Sequence, residues 1–219
     1  MVNKTLEILI LGMNENVLEG KSVRLEPLDY HHAEGLVNAA AGDPSLFKWT
    51  PVPQGIAEVN QYIATALAMR DTGSSVPYAI IGQEDGIIKG STRFWNMEYW
   101  AWPENHPLHG NNNPDVCEIG HTWLSNTAIR TAINTETKLL MLSYAFETWK
   151  VWRVCLHTDI RNERSRNAIE RIGGKLEGIL RAQKMSADFI SRDSARYSIV
   201  SSEWPGVKEK LNVLLTRYS

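Results

Sequence analysis

Cysteine is scarce in this chain, and the two that occur, Cys117 and Cys155, both sit in apolar, strand-like runs. One pair in 219 residues does not make a disulfide scaffold, so a reducing cytoplasm is the expected setting. A basic excess is also missing, since 23 Lys and Arg face 25 Asp and Glu for a formal charge of -2. Sequence-independent binding to nucleic acid or to an anionic membrane draws on positive charge, and neither partner is expected. Long apolar runs are absent too. Leu6 to Leu11 comes nearest, but it is short, contains Glu7 and lacks a small-residue cleavage signal, which argues against a signal peptide or a membrane span. Residues 1–19 are therefore read as an N-terminal extension, an extra strand or an arm on a partner subunit, ahead of a single domain over 20–219. There is no repeat and no low-complexity tract. What is present, 43% hydrophobic and 22% charged residues, fits a globular chain with material for a core.

Periodicity divides the chain into elements. Ser22 to Leu28 alternates as a strand, and Asp29 can cap a helix running to about Ala41, where Gly42-Asp43-Pro44 stops it. Val59, Ile63, Ala66 and Leu67 recur at helical spacing within Ile56 to Arg70, after a loop carrying Pro51, Pro53 and Gly55. Tyr78 to Gln83 and Ile87 to Tyr99 read as a hairpin around Glu84-Asp85-Gly86. Trp100 to Asp115 has no periodicity and is long enough to require a purpose, as a lid or a subunit contact. Val116 to Leu124 is a strand, and the helix after it places Leu139, Leu142, Phe146 and Trp149 on one side. A strand over Trp152 to Ile160 and a short helix over Asn162 to Ile172, ended by Gly173-Gly174, follow. Strands over Leu176 to Asp188 and Ala195 to Trp204 lead to a helix from Pro205 to about Leu215. This order predicts an α+β architecture, a mixed sheet with helices on its faces.

Two helix starts carry polar clusters, Arg130 through Glu136 and Asn162-Glu163-Arg164-Ser165. The first N–H groups of a helix lack intrahelical partners and suit phosphate or carboxylate. With Glu118 through Leu124, Asn134-Thr135-Glu136, Lys138-Leu139-Leu140 and Asp159 through Ser165 running on to Gly173, the chain resembles the GNAT (GCN5-related N-acetyltransferase) superfamily, in particular its ribosomal-protein-acetylating branch. The resemblance covers residues 20 to 205. It implies a mostly antiparallel central sheet flanked by helices on both faces, acetyl-CoA as acyl donor, and an amine acceptor that is a small molecule or a protein N-terminus. It also allows a homodimer. Pantetheine would pair with the strand backbone at Thr122, Trp123 and Leu124, and the pyrophosphate would rest on the loop and helix start at Arg130, Thr131, Ala132, Ile133, Asn134 and Thr135. The family loop has glycine where this chain has Arg130, and Gln or Arg where it has Thr127. Arginine restricts the turn yet offers a charge-assisted contact to phosphate. That departure motivates a second reading, a catalytically silent acyl-CoA-binding regulatory module.

For catalysis, the resemblance places Asn162 against the pantetheine arm and Ser165 near the leaving sulfur, where its hydroxyl can supply a proton; Asn162 is equally suited to be an N-cap. Glu118 is the leading general-base candidate, with His121 behind it, although either is also a conventional ion-pair or core residue. Strand alternation puts Glu118 and His121 on opposite faces, so serving one site requires a bulge, which the family commonly has in this strand. A backbone N–H near His121 or Thr122 is expected to face the oxyanion. A lysine-type amine near pKa 10.4 needs help to lose its proton, whereas an α-amine at about 7.7 to 8.0 needs little. His106, His109 and His121 lack companion ligands at metal spacing, so no metal is expected. Acceptor contacts are expected from loops around Trp49 to Gly55 and Tyr99 to Asp115.

Overall fold

The computed structural model describes residues 16–186 and 188–218. The Leu6 to Leu11 run lies outside the described residues. Eight strands form one sheet in the order β1-β2-β3-β4-β5-β6-β8-β7. They are β1 (Leu18–Glu19), β2 (Val23–Pro27), β3 (Ser75–Gly82), β4 (Ile88–Glu98), β5 (Val116–Leu124), β6 (Arg153–Asp159), β7 (Lys175–Met185) and β8 (Ser191–Val200). Every neighbouring pair is antiparallel except β5 with β6. The first strand falls within the segment expected to be an extension.

Helices cover the sheet on both faces, as expected. On one face α1 (Ala33–Ala40) and α2 (Gly55–Asp71) bury Leu36, Val59, Ile63 and Ala66 against Ala79, Ile81 and Trp123. On the other, α3 (Ala132–Ser143), α4 (Glu163–Arg171) and α5 (Trp204–Leu215) pack Met141, Leu142, Ile169 and Leu211 onto Cys117, Ile119, Val154, Leu156 and Tyr197. Glu136 ties α3 to the sheet edge. Its carboxylate accepts the N–H groups of Lys21, Ser22 and Val23 at 2.8, 2.6 and 3.0 Å.

Boundaries differ from the sequence expectation where capping overrides periodicity. Asp29 caps only a 3-10 turn, Tyr30–His32, and α1 begins at Ala33. The final strand stops at Val200 because Ser201–Glu203 forms another 3-10 turn, with Glu203 accepting the Val200 N–H, and Trp204 already belongs to α5. After α3 a π-type turn, Tyr144–Trp149, shifts the helical phase so that both Phe146 and Trp149 reach the core before Lys150 closes it at φ +63°. The Trp100 to Asp115 loop is organised around its last residue. The Asp115 carboxylate accepts the Trp100 N–H and the Trp102 indole N–H, and the His106 ring stacks on Trp102 at 4.2 Å.

Candidate active site

The parallel pair β5 and β6 is in register over only three positions, Val116 with Arg153, Cys117 with Val154 and Glu118 with Cys155. Beyond Glu118 the two strands part, and among the described residues the β5 edge from Ile119 to Leu124 has no strand beside it on that side. The Trp100 to Asp115 loop enters β5 at the paired end, so it borders the closed end of this gap rather than its mouth.

A bulge accompanies the separation. Gly120 and Trp123 of β5 face Arg93 and Ser91 of β4, leaving one extra residue on β5, and His121 takes φ +51°. A non-glycine residue in that region is strained, and such strain concentrates at functional positions. The bulge resets the alternation, as the sequence reading required: His121 meets the Trp95 ring edge-on at 4.7 Å, and Trp95 is the cross-strand partner of Glu118. Both side chains therefore flank one indole. Gly120 makes room for it, since a Cβ there would fall 2.4 Å from Trp95 Nε1.

Glu118 is buried and held from two sides. Asn96 Nδ2 donates to its Oε2 at 2.8 Å, and His157 Nδ1 lies 3.0 Å from the same oxygen, although off the line of a hydrogen bond. Asn96 sits at φ +46° where β4 itself carries an extra residue between Trp95 and Glu98. Burial acts to raise the Glu118 pKa, but His157, Asn96 and the charge of Lys184 outweigh it and leave the carboxyl below its ordinary value. His121 is exposed to the gap; crowding by protein atoms, then the charges of Arg93 and Lys184, lower its pKa to about 4. Both candidate bases are thus unprotonated and weak near neutrality.

Past the bulge, the side chains of Thr122, Trp123 and Leu124 are engaged in packing, which leaves their backbone along the unpaired edge. Thr122 Oγ1 bonds Thr92 Oγ1 and accepts from Lys138 Nζ, each at 2.7 Å, while Trp123 packs edge-on against Phe47. Leu124 joins the apolar core. Lys138 is buried with no carboxylate beside it among the described residues, and desolvation lowers its pKa to about 7.

Both helix starts border the gap, since one follows β5 and the other follows β6. Thr131 caps α3, its Oγ1 accepting the Ile133 N–H at 3.3 Å and donating to the Ala128 carbonyl at 2.8 Å. Arg130 adopts φ +62°, the left-handed conformation natural to glycine, with its side chain exposed. The arginine thus accepts the turn instead of altering it, which removes the motive for the silent-module reading. Ala132 and Asn134 are half-buried in the first turn, Ile133 belongs to the core, and Thr135 is fully buried with its hydroxyl bound by Arg171 Nη1 at 3.0 Å. The Thr135 side chain therefore joins α3 to α4 and does not face the gap. At α4, Asn162 Oδ1 accepts the Ser165 N–H at 3.1 Å, so Asn162 is the N-cap, and its Nδ2 has no protein partner among the described residues. The half-buried Ser165 hydroxyl has none either.

Sequence reasoning missed His157 and Asn96, and it read the strands of the β7–β8 hairpin without giving their connecting tip a part in the site. His157 follows the alternation of an unremarkable strand, and only the three-dimensional register brings it to Glu118. The hairpin tip lies beside the Trp49 loop and carries exposed Met185, Phe189 and Ile190. Among the described residues one group, Glu26, His31 and His32, has metal-like spacing. His32 Nδ1, however, accepts the Asp29 N–H, so Nε2 carries the ring proton and points to Glu26 Oε2 at 3.1 Å, leaving no lone pair for an ion. No helix among the described residues is long and apolar enough to cross a membrane.

Comparison with known proteins places the chain by family and fold. A family model described as an acetyltransferase (GNAT) domain matches residues 22–175. A crystal structure of a GCN5-related N-acetyltransferase from Brucella melitensis superimposes with a TM-score of 0.78, at 26% identity, over 92% of this chain and 86% of that one. An acetyltransferase, provisionally described as such, from T. thermophilus gives 0.73 at 30% identity, over 91% of this chain and 97% of that one. A Bacillus subtilis (strain 168) protein, provisionally described as ribosomal N-acetyltransferase YdaF, is 33% identical over 91 residues, 42% of this chain. That match spans about half, 49%, of the relative's length.

Proposed function

This chain is a member of the GNAT acetyltransferase family, and from that premise we propose that it transfers the acetyl group of acetyl-CoA to an amine by direct attack on the thioester. The observation that carries the proposal is the loss of β5–β6 pairing after Glu118. Unpaired strand backbone at Ile119 to Leu124 can receive the amide groups of pantetheine as a further strand would, while the α3 start, with Thr131, Ala132 and Arg130, receives the pyrophosphate. Asn162 Nδ2 is free to meet the pantetheine arm.

Glu118 orients the acceptor nitrogen and offsets the positive charge that develops on it as the neutral amine attacks the carbonyl carbon. The backbone at the His121 bulge supplies the oxyanion contact, the C–S bond breaks, and the proton shed by the now acidic, positively charged nitrogen of the tetrahedral adduct passes through the Ser165 hydroxyl to the departing thiolate, leaving Ser165 neutral. A carboxyl held below its ordinary pKa and an imidazole at about 4 are poor at removing a proton from an amine near 10.4. The acceptor is accordingly an α-amino group of about 7.7 to 8.0, on a small molecule or a peptide N-terminus. A ribosomal-protein N-terminus, which the description of the Bacillus subtilis relative brings to mind, is one such group. A thiol-release assay with acetyl-CoA and a panel of α- and ε-amines at pH 7 tests the reading. Faster turnover of α-amines is expected, and thiol release with no member of the panel would refute acetyl transfer.

A further inference from the structure

A pocket of about 510 Å³ lies between residues 47–54 and the β7–β8 hairpin, walled by Phe47, Trp49, Met185 and Phe189, with Arg192 as its one charged lining residue. Arg161, next to the N-cap Asn162, builds it. Its guanidinium lies 4.4 Å from the Trp49 ring centre and bonds Asp159, Asp188 and Ser186 at 2.7, 3.0 and 3.1 Å, docking the hairpin against the start of α4. The hairpin that walls the pocket also reaches the proposed reacting centre. Lys184, the cross-strand partner of Arg192, places Nζ 4.1 Å over the Trp95 indole that Glu118 and His121 flank.

Charge in this region is unbalanced. Asp159 and Asp188 are both taken by Arg161, and Glu118 is held by Asn96 and His157. Arg192 is partly buried, donates only to Ser194 Oγ at 2.8 Å, and forms no ion pair among the described residues. Lys184 has none either, and Arg93, 2% exposed across from Gly120, has among the described residues the Met69 sulfur and the Tyr62 ring as neighbours for its charge, with Nε unpartnered. Arg93 is buried and Arg192 partly so, and Asp159 and Glu118 act on Arg192, and Glu118 on Lys184, only from beyond ion-pair distance, so an incoming anion supplies the direct partner that these cations lack. Apolar walls beside an uncommitted guanidinium fit a ligand with an apolar group next to a carboxylate.

We propose that the acceptor amine carries a carboxylate, held by Arg192 in this pocket, with its apolar part against Trp49 and Phe189. The proposal rests on the acetyl-transfer reading and narrows it to one substrate class. The carboxylate has two sources, the α-carboxylate of a free apolar amino acid or an acidic side chain at the start of a peptide. Matched reaction products separate them without requiring turnover. The CoA-saturated protein is titrated calorimetrically with N-acetyl-phenylalanine against its carboxamide, and with N-acetyl-aspartyl-phenylalaninamide against the asparaginyl counterpart, in wild type and Arg192→Gln. In at least one pair the carboxylate member is expected to bind about tenfold tighter, and Arg192→Gln to abolish that preference while Arg192→Lys keeps part of it. The pair that responds identifies the source. Equal affinity within both pairs, no binding of any member, or a preference that survives Arg192→Gln overturns the proposal. CoA saturation is read separately: should CoA itself not bind, the acetyl-transfer reading fails, and the same four ligands titrated into the free protein still decide the role of Arg192.

Discussion

The two halves of the sheet are built to different rules. From β2 to β5, helices cover both faces, and Tyr78, Ile80, Ala79, Ile81 and Phe94 are buried among apolar neighbours. From β5 to β8, α3 to α5 cover one face only, and the cluster under α1 and α2 has no member from β6, β7 or β8. The other face of that half carries Glu118, His157, Asp159, Ser194 and Arg196, together with the strained bulge at His121. Stability is drawn from the covered half, and the proposed chemistry falls in the half where the sheet opens and no helix among the described residues covers the second face.

Substitutions on the two sides should separate these roles. Phe94, fully buried with the Trp149 ring 4.6 Å away, belongs to the covered half. Phe94→Ala is expected to lower unfolding free energy by roughly 3–5 kcal/mol in denaturant titration, while the folded fraction still binds acetyl-CoA. On the open side, Glu118→Gln is expected to reduce kcat/KM by about 100-fold with a far smaller change in stability than Phe94→Ala. Because the folded pKa of Glu118 lies below its ordinary value, the carboxylate is ionised throughout the neutral range. The wild-type rate should therefore rise with pH only through the acceptor's own ionisation, and a limb that persists unchanged for acceptors of different amine pKa would assign it to the enzyme instead.

Lys138 sharpens the contrast, being a charge placed inside a packed face. Its pKa falls from the usual lysine range to about 7, so between those values the unfolded chain binds more protons and wild-type stability rises with pH. Lys138→Met should stabilise the fold by about 1–3 kcal/mol at pH 6.5 and by less at pH 9.5, measured by urea unfolding at the two pH values. A gain independent of pH would show that burial of this amine is not the cause. The smallest effect is expected at Arg130. Replacing a left-handed arginine with glycine relieves about 1 kcal/mol of backbone strain, so Arg130→Gly should melt slightly higher yet bind acetyl-CoA several-fold more weakly. Unchanged affinity would remove the guanidinium from the phosphate contact.

Much of the fold was legible because local chemistry and tertiary context agree. The hairpin at Glu84-Asp85-Gly86, the helix at residues 55–71 and the Thr131 and Asn162 starts follow from turn residues, apolar spacing and caps that lie within a few positions of one another. The need for a bulge to unite Glu118 and His121 could be stated from alternation alone. Where function depends on partners distant in sequence, local patterns carry no signal. His157 reaches Glu118 through the β5–β6 register, Asn96 through a second bulge, and the β7–β8 tip through the Arg161 contacts with Ser186 and Asp188. Thr135 shows the converse, a residue in a readable motif whose side chain is claimed by Arg171.

Amide hydrogen exchange with and without CoA reads the open β5 edge directly. The account expects CoA to slow exchange at gap-facing amides between Ile119 and Leu124 and in the first turns of α3 and α4, with β3 and β4 unchanged. Bound CoA that leaves β5 beyond Glu118 exchanging as freely as before would contradict it.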